Sequence, residues 1–213
     1  MDSYSKGYID ALVDAQSHID GYFFLEESLS PALLDAMQKV CPITPNQDGA
    51  ETPAYVYSHY FLGRRATALA RIDLLNKLSQ NFDVTVYTHA DCKDILPTAI
   101  YGGKIDYYDT MPTVFQHSKI NLNITLKTIQ IGIPLRAWDI LGCGGFLLTN
   151  FQQELCDFFI PGEDFVYYES PTDAIEKAAY FLSHDRERQE IAHNAFEKIA
   201  ASHTFHHRVQ SMF

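Results

Sequence analysis

Residues 132–149 read GIPLRAWDILGCGGFLLT, and this stretch decides the fold. Its pattern predicts a short helix from Pro134 to Gly142, a glycine turn, and then a buried strand from Phe146 to Thr149. Proline suits the first helical position, because its missing N–H would have no partner there in any case. The stretch therefore predicts a helix that leads directly into a sheet.

The start of that helix has the features of an anion-binding site. Its free N–H groups and its dipole attract negative charge, and Arg136 adds a cation in the first turn. Asp139 lies three residues later, on much the same face of the helix. A cation followed by a carboxylate suits a ligand with phosphates and sugar hydroxyls, which favours a nucleotide-sugar.

Charge is spread unevenly along the chain. The 213 residues include 27 acidic ones and have a formal net charge of −11, yet no acid lies between Thr110 and Trp138. An even spread would put roughly three to four acids there. The window holds Lys119, Lys127 and Arg136, so a phosphorylated ligand would meet no repulsion in it. A buried strand and loop, poor in charge of either sign, would explain the window equally well.

The composition excludes several classes of function. Net acidity argues against nucleic-acid binding, which needs a basic face. No apolar run approaches the ~20 residues of a membrane span, and no signal peptide is evident. Four scattered cysteines without a C-x-x-C pair indicate neither a disulfide framework nor a zinc site. We therefore expect a reduced, cytoplasmic protein.

Residues 1–80 have the periodicity of helices. The predicted helices are Tyr4–Ile19, Pro31–Val40 and Ser58–Leu78. Ser30 is the expected cap of the second helix. A loop before the third is marked by Pro42, Pro45, Asp48 and Gly49.

From Asp83 onward, strand-like runs alternate with helical segments. The predicted strands are Val84–Thr88, Lys104–Tyr108, Lys119–Asn123, Phe146–Thr149 and Phe165–Tyr168. The predicted helices are Pro112–His117, Pro134–Gly142, Gln152–Phe159, Pro171–Ser183 and Asp185–Ser202. This alternation predicts an α/β fold with a parallel sheet covered by helices on both faces. We expect the helical part, 1–80, to pack on residues 81–213 as one structural unit.

Ligands of such sheets bind beyond the carboxyl ends of the strands. The predicted site therefore includes the loops after Asn123 and Thr149. Asn121 and Asn123 alternate with apolar residues, and because buried amides need partners, they either tie loops together or contact the ligand. Thr125, in the loop after Asn123, is a weaker candidate.

Other candidates have two interpretations each. Glu154 either contacts a sugar hydroxyl or favours the dipole of its own helix. Arg136 either contacts phosphate or pairs with Asp139. Trp138 belongs either to the core or to a platform for a base.

Several motifs in the same order resemble the CgeB-type (spore-maturation) glycosyltransferases. These motifs are Tyr107–Pro112, Lys119–Leu126, Gly132–Asn150, Gln153–Leu155, Tyr167–Tyr168 and His203–Arg208. The resemblance implies a GT-B architecture, in which two Rossmann-like domains face each other, and it identifies this chain with the C-terminal, donor-binding half. The donor would be a nucleotide-diphosphate sugar, and the acceptor a protein, a surface polysaccharide or a spore-coat component.

The resemblance also implies that parts are missing. We expect the acceptor-side N-terminal domain and the first strand of the donor domain to lie outside this chain, so the chain alone would be inactive. The sheet edge left open by a missing strand could pair with a second copy, giving a homodimer.

By the same resemblance, Asp139 stands where the broader GT-B superfamily often has a glutamate that binds ribose hydroxyls. A second glutamate, eight positions earlier, is replaced by Ile131, which leaves the stereochemical outcome open. Arg136 would neutralise the donor diphosphate without a metal ion or another cofactor.

The donor site implied by the resemblance is completed by three glycines. Gly144 and Gly145 would allow close approach of the backbone, and Gly132 precedes the helix. No general base is assigned, although four residues would lie near the cleft: Tyr107, Tyr108, Asp109 and His117. The histidines of the His203–Arg208 motif are expected to be a structural helix end.

Two other functions compete with a glycosyltransferase. One is a non-catalytic or degenerate nucleotide-sugar-binding module, which the missing strand and Ile131 favour. The other is a response-regulator-like or scaffold domain, against which the absence of an acidic cluster at the strand ends argues.

Overall fold

A computed structural model describes residues 1–44, 49, 51–210 and 212. The described chain divides into two compact units. The helical unit contains residues 1–73 and 126–130, and the sheet unit contains residues 74–125 and 131–213. The expectation that residues 1–80 pack on the rest as one structural unit stays a prediction.

The helical unit is built from amphipathic helices. They are α1 (Ser3–Ser17), α2 (Pro31–Val40), the short α3 (Pro53–Tyr55) with the π-helical segment Val56–Leu62 that continues it, and the first part of α4 (Gly63–Ser79). The Ser30 hydroxyl accepts the Leu33 N–H and so caps the start of α2. Both bounds of this helix are as predicted. Apolar side chains of these helices and of the segment between α1 and α2 form one core: Ile9, Val13, Leu25, Leu29, Leu33, Met37, Tyr57, Leu62 and Ala66.

The predicted helix Ser58–Leu78 differs in its first turns. The Thr52 hydroxyl accepts the Tyr55 N–H and Pro53 takes the first helical position, so helical structure begins before Ser58. The wider π-helical turns then give way to α4 at Gly63. Pro45 and Asp48 of the predicted loop lie outside the described residues.

The sheet unit contains two short parallel sheets. The strands are β1 (Thr85–Tyr87), β2 (Ile100–Gly103), β3 (Asn121–Asn123), β4 (Leu147–Asn150) and β5 (Val166–Tyr168). Strand β1 pairs with β2, and β4 lies between β3 and β5 in the second sheet. Asn123 is opposite Thr149, and Thr149 is opposite Tyr167.

Helices cover both faces of the second sheet. They are α5 (Met111–His117), α6 (Leu135–Gly142), α7 (Pro171–Ser183) and α8 (Asp185–Ser202), and the short α9 (Phe205–Gln210) follows α8. Neighbouring residues of β4 point to opposite faces. Leu147 accordingly belongs to a core with Ile140 of α6, whereas Leu148 belongs to a core with Ala178 of α7. This arrangement confirms the predicted α/β class, with short parallel sheets flanked by helices.

The predicted strand Lys104–Tyr108 is wrong. The strand lies at Ile100–Gly103, where a Cβ on Gly102 would come within 2.6 Å of the Tyr87 ring, so glycine permits the close pairing with β1. Downstream, the Asp106 carboxylate accepts the N–H groups of Tyr108 and Asp109, each at 2.8 Å. These bonds fold the segment into a turn, and it cannot be extended.

No helix in the described residues is long and apolar enough to cross a membrane.

Candidate functional site

The candidate site lies at the carboxyl edge of the second sheet, within the sheet unit. Strands β3 and β4 are parallel and end at Asn123 and Asn150, so their exit loops meet at one edge. Helix α6 leads from this edge back to the start of β4, which puts its first turn beside the loops. The loops and the helix start that the sequence singled out therefore meet at one edge of the sheet, and ligand binding there stays a prediction.

Helix α6 begins at Leu135, one residue later than predicted. Pro134 has a ψ of 137°, which is extended backbone, and it precedes the helix instead of occupying its first position. No side chain caps the helix. Gly132, two residues before, has a φ of +121°, a conformation that favours glycine, so it shapes the entry to the helix.

Arg136 presents an exposed cation in the first turn of α6. Its Nη1 lies 2.7 Å from the Met111 Sδ, and its Cζ is 5.5 Å from the Phe115 ring centroid and 6.0 Å from that of Tyr107. In the described part of the chain these contacts include no carboxylate, so the alternative of an ion pair with Asp139 is not formed. The guanidinium is steadied by a sulfur and two rings and keeps its charge available for an anion.

The Asp139 carboxylate accepts a hydrogen bond from a hydroxyl group of the protein. The Tyr107 hydroxyl donates a hydrogen bond of 2.6 Å to the Asp139 Oδ2, across 32 positions of the chain. This hydrogen bond is the largest cause that raises the pKa of Tyr107, followed by burial. Because the carboxylate accepts from a hydroxyl in this structure, it has the chemistry needed to bind a sugar hydroxyl.

A buried polar network underlies the same edge. The Asn123 Nδ2 donates to Thr125 Oγ1 at 3.1 Å and to Thr149 Oγ1 at 3.0 Å. The Thr125 N–H donates to the Asn150 Oδ1 at 2.9 Å. Asn123 and Thr125 are therefore bonded to other protein groups and join the exits of β3 and β4. Their contact with a donor stays a prediction.

The adjacent strand amide also has a structural role. The Asn121 Nδ2 donates to the carbonyls of Phe115 at 2.9 Å and Phe146 at 3.3 Å. The side chain is buried and ties the end of α5 to the entry of β4. This fits the expectation that the amides of β3 tie loops together.

Two buried oxygens after β4 lack partners. In the described residues, neither the Gln152 Oε1 nor the Glu154 Oε2 has a hydrogen-bond partner. An unpaired buried acceptor costs about 1–3 kcal/mol. Both residues belong to the exit of β4, where Gln153–Asp157 forms a 3₁₀ turn instead of the predicted helix Gln152–Phe159. The sequence singled out Glu154 and missed Gln152, whose only signal is its place just after a strand.

Two of the predicted glycines lie elsewhere. The Gly144 and Gly145 N–H groups bond to the carbonyls of Leu141 and Ile140, at the far end of α6. A Cβ on Gly145 would lie 2.7 Å from the Asn121 Nδ2. An eight-residue helix is about 12 Å long, so these glycines are at the amino edge of the sheet. They shape the entry to β4 and lie at the opposite end of α6 from Arg136.

The other cations of the acid-free window have carboxylate partners. In the helical unit, the Lys127 Nζ lies 2.7 Å from the Asp20 Oδ1 and donates to the Ile19 carbonyl at 3.2 Å. In the sheet unit, the Lys119 Nζ lies 4.0 Å from the Asp185 Oδ1. Of the three cations in that window, Arg136 is thus the one suited to an external anion.

Trp138 is packed against other side chains. Its ring centroid lies 5.6 Å from that of Phe158, 5.3 Å from Phe159 and 5.5 Å from His203, and the Arg208 Cζ lies 5.3 Å from it. Burial, and then the charge of Arg208, lowers the pKa of His203. The tryptophan therefore belongs to the core, and the histidine packs at the end of α8, as the resemblance implied.

No cluster of three or more His, Cys, Asp or Glu in the described part of the chain is arranged to hold a metal ion.

Comparison with known proteins identifies the family of the chain. A family model described as glycosyl transferase-like matches residues 65–213, which is more than half of the chain and includes the whole sheet unit. Neither the curated proteins nor the solved structures contain a match. The chain therefore belongs to the glycosyl transferase-like family.

Proposed function

We propose that the sheet unit binds the nucleotide-diphosphate sugar donor of a CgeB-like, spore-maturation type glycosyltransferase with GT-B architecture. The observation that carries the proposal is that Arg136 and Asp139 lie three residues apart on α6 and have different partners. The arginine has no carboxylate partner among the described residues, and the carboxylate already accepts a hydroxyl. A nucleotide-sugar offers both complements, a diphosphate and a ribose diol.

Each part of the donor has a partner in this proposal. Arg136 binds the diphosphate, and Asp139 accepts hydrogen bonds from the ribose hydroxyls. Two oxygens of Gln152 and Glu154 are buried and lack a partner in the described part of the chain, so these side chains would turn outward to accept hydrogen bonds from hydroxyls of the donor sugar, which would offset the cost of their burial. Support for this last assignment comes from their position at the exit of β4.

The reaction would transfer the sugar to a hydroxyl of a protein or surface-glycan acceptor. As the bond from the sugar to the diphosphate breaks, negative charge develops on the leaving nucleoside diphosphate, and Arg136 stabilises it in place of a metal ion. The acceptor-side N-terminal domain binds the acceptor and supplies the general base. We further propose a cytoplasmic protein, to which its four free cysteines are suited, that can form a homodimer.

Thermal unfolding against a panel of nucleotides tests donor binding. The panel is UDP, GDP, dTDP, CMP and ADP, each at millimolar concentration. A nucleotide at about 100 times its Kd adds about 2.7 kcal/mol to the free energy of unfolding, which raises the midpoint by about 5–10 °C. The shift should be lost in Arg136→Ala and Asp139→Ala. The exposed arginine of α8 gives the matched control, and Arg186→Ala should keep the shift.

Two results would contradict the proposal. One is that no nucleotide of the panel shifts the midpoint of the wild-type chain. The other is a shift of the same size in Arg136→Ala, Asp139→Ala and the control, which would place the nucleotide somewhere else.

A second candidate function is nucleotide-sugar binding without transfer. It is favoured by Ile131, which is 82% exposed where the superfamily often has a glutamate. An assay of the chain joined to an acceptor-side domain distinguishes the transferase from the binding module. Release of nucleoside diphosphate from the donor supports the transferase, whereas tight binding without release supports the binding module.

A further inference from the structure

We propose that the ring of Tyr108 stacks on the nucleobase of the donor, next to the carboxylate of Asp139. This inference rests on the proposed donor binding and adds the subsite that Arg136 and Asp139 leave unassigned. A nucleobase is a flat apolar ring, and an exposed aromatic side chain is its natural partner.

The exposure of Tyr108 is unusual for so large a side chain. It is 83% exposed, and its ring contacts the Tyr107 ring at 5.1 Å between centroids and at an angle of 86°. A ring in one edge-to-face contact, with most of its surface in solvent, has a face open for a second ring. Tyr108 can therefore accept a stacked base without any rearrangement of the protein.

Tyr107 places the open ring beside the proposed phosphate and ribose partners. Its hydroxyl contacts Asp139 at 2.6 Å, its ring is 6.0 Å from the Arg136 Cζ, and its ring also contacts Tyr108. In a nucleotide the ribose joins the phosphates on one side to the base on the other. Arg136, Asp139 and Tyr108 all contact Tyr107, so a partner for each of the three parts lies around one side chain.

The turn that carries Tyr108 is fixed before a ligand arrives. The Asp106 carboxylate accepts the Tyr108 and Asp109 N–H groups, and the Asp106 carbonyl accepts those of Thr110 at 3.3 Å and Met111 at 2.9 Å. Such bonds limit the conformations of the loop, so little entropy is lost when the ring binds a base.

The other aromatic rings at this edge are already engaged. Trp138 packs on Phe158, Phe159 and His203, so it is not a free platform. Phe151, at the exit of β4, makes an edge-to-face contact with a ring of β5 and is 42% exposed, which is about half the exposed fraction of Tyr108. Among the described rings that contact Asp139 or Tyr107, Tyr108 thus has the most open surface.

The test compares ligands with and without a base. Calorimetric titration of wild type, Tyr108→Ala and Tyr108→Phe would use UDP, GDP, dTDP and ADP, with ribose 5-phosphate as the base-free probe. Loss of stacking should weaken the binding of the nucleotide that binds wild type by roughly 5- to 100-fold in Tyr108→Ala. The Kd of ribose 5-phosphate should change less than about twofold, and Tyr108→Phe should match wild type. The side chain is exposed, so both variants should keep the wild-type unfolding midpoint.

The outcomes separate this inference from the proposed function. Nucleotide binding that requires Arg136 and Asp139 but is unchanged in Tyr108→Ala overturns the base subsite alone. An equal loss of nucleotide and ribose 5-phosphate binding in Tyr108→Ala also overturns it, since the effect would not depend on the base. Failure of wild type to bind any of the four nucleotides, together with no shift of the midpoint by CMP in the thermal panel, overturns both proposals before a variant is made.

Discussion

Single side chains in this protein take their roles from partners far away in sequence. The carboxylate of Asp139 lies one turn from Arg136 on the same helix, yet its hydrogen-bond partner is Tyr107. Arg136 in turn contacts Met111 and Phe115 of α5. At this scale the candidate site is a set of contacts between α6 and the chain from residue 107 to 115.

Asp106 should make the turn of Tyr107 and Tyr108 sensitive to acid. The N–H groups of Asp109 and Tyr108 lower its pKa below the ordinary 3.8. A lowered folded-state pKa means that the ionised carboxylate stabilises the turn above the unfolded-state value, and that this contribution is lost as the pH falls through the folded-state pKa. Titration followed by carboxyl NMR should place the Asp106 midpoint below 3.8.

The control for this titration is Asp106→Asn, which keeps an acceptor oxygen but does not ionise. Stability measured from pH 6 to pH 2 should fall less in Asp106→Asn than in wild type. An Asp106 midpoint at or above 3.8 would show that the turn does not hold the ionised carboxylate.

Helices and strands with local signals in the sequence could be predicted well. Helices α2 and α7 each follow a capping serine and begin with proline, at Ser30-Pro31 and Ser170-Pro171. The first residue of each helix is therefore marked by its neighbours in the sequence. Strand β2 has no such marker. Its sequence IYGG contains two glycines, and its extended conformation depends on pairing with β1.

The residues of the candidate site also divide into those with a local signal in the sequence and those without one. Arg136 and Asp139 could be found because their spacing on one helix is a local property. The partner of Asp139 is set by the fold of a turn 32 positions away, and the burial of the Gln152 oxygen depends on tertiary packing. Neither leaves a pattern in the sequence around it.

The segment that leads from the end of α6 into β4 should tolerate an added methyl group at Gly142 but not at Gly145. In Gly145→Ala the new Cβ would lie 2.7 Å from the Phe115 carbonyl and from the Asn121 Nδ2. Such overpacking typically costs about 1–3 kcal/mol. In Gly142→Ala the Cβ would lie 3.8 Å from the Ile199 Cγ2, which is an ordinary contact.

Urea unfolding of both variants provides the comparison. Gly145→Ala should lower the free energy of unfolding, and Gly142→Ala should leave it within about 0.5 kcal/mol or raise it. Equal stability of the two variants would mean that the backbone at Gly145 has room that the structure does not show.

On the scale of the whole molecule, an acidic protein has to attract an anionic ligand. The formal net charge of −11 repels a nucleoside diphosphate at long range, whereas Arg136 attracts it locally. Salt screens both effects, with a Debye length of about 10 Å at 0.1 M and about 3 Å at 1 M. The attraction by Arg136 can therefore be measured separately only as the ratio of the nucleotide Kd of a variant to that of wild type.

The ratio of the nucleotide Kd of Arg136→Ala to that of wild type should decrease between 50 mM and 500 mM NaCl. The repulsion by the whole protein affects both chains similarly, so the decrease reports the charge of one exposed arginine. For the control Arg186→Ala the ratio should stay near one at both salt concentrations. A ratio for Arg136→Ala that does not vary with salt would argue against direct contact with phosphate.

The hydrogen bond from Tyr107 to Asp139 has a consequence for how any ligand hydroxyl binds. The Tyr107 hydroxyl takes one of the acceptor positions of the Asp139 carboxylate, which has about four, and leaves the others to a ligand. The tyrosine therefore limits the directions from which a ligand hydroxyl can approach the carboxylate. Tyr107→Phe would remove this limit, so the carboxylate of that variant would accept a ligand hydroxyl in more than one orientation.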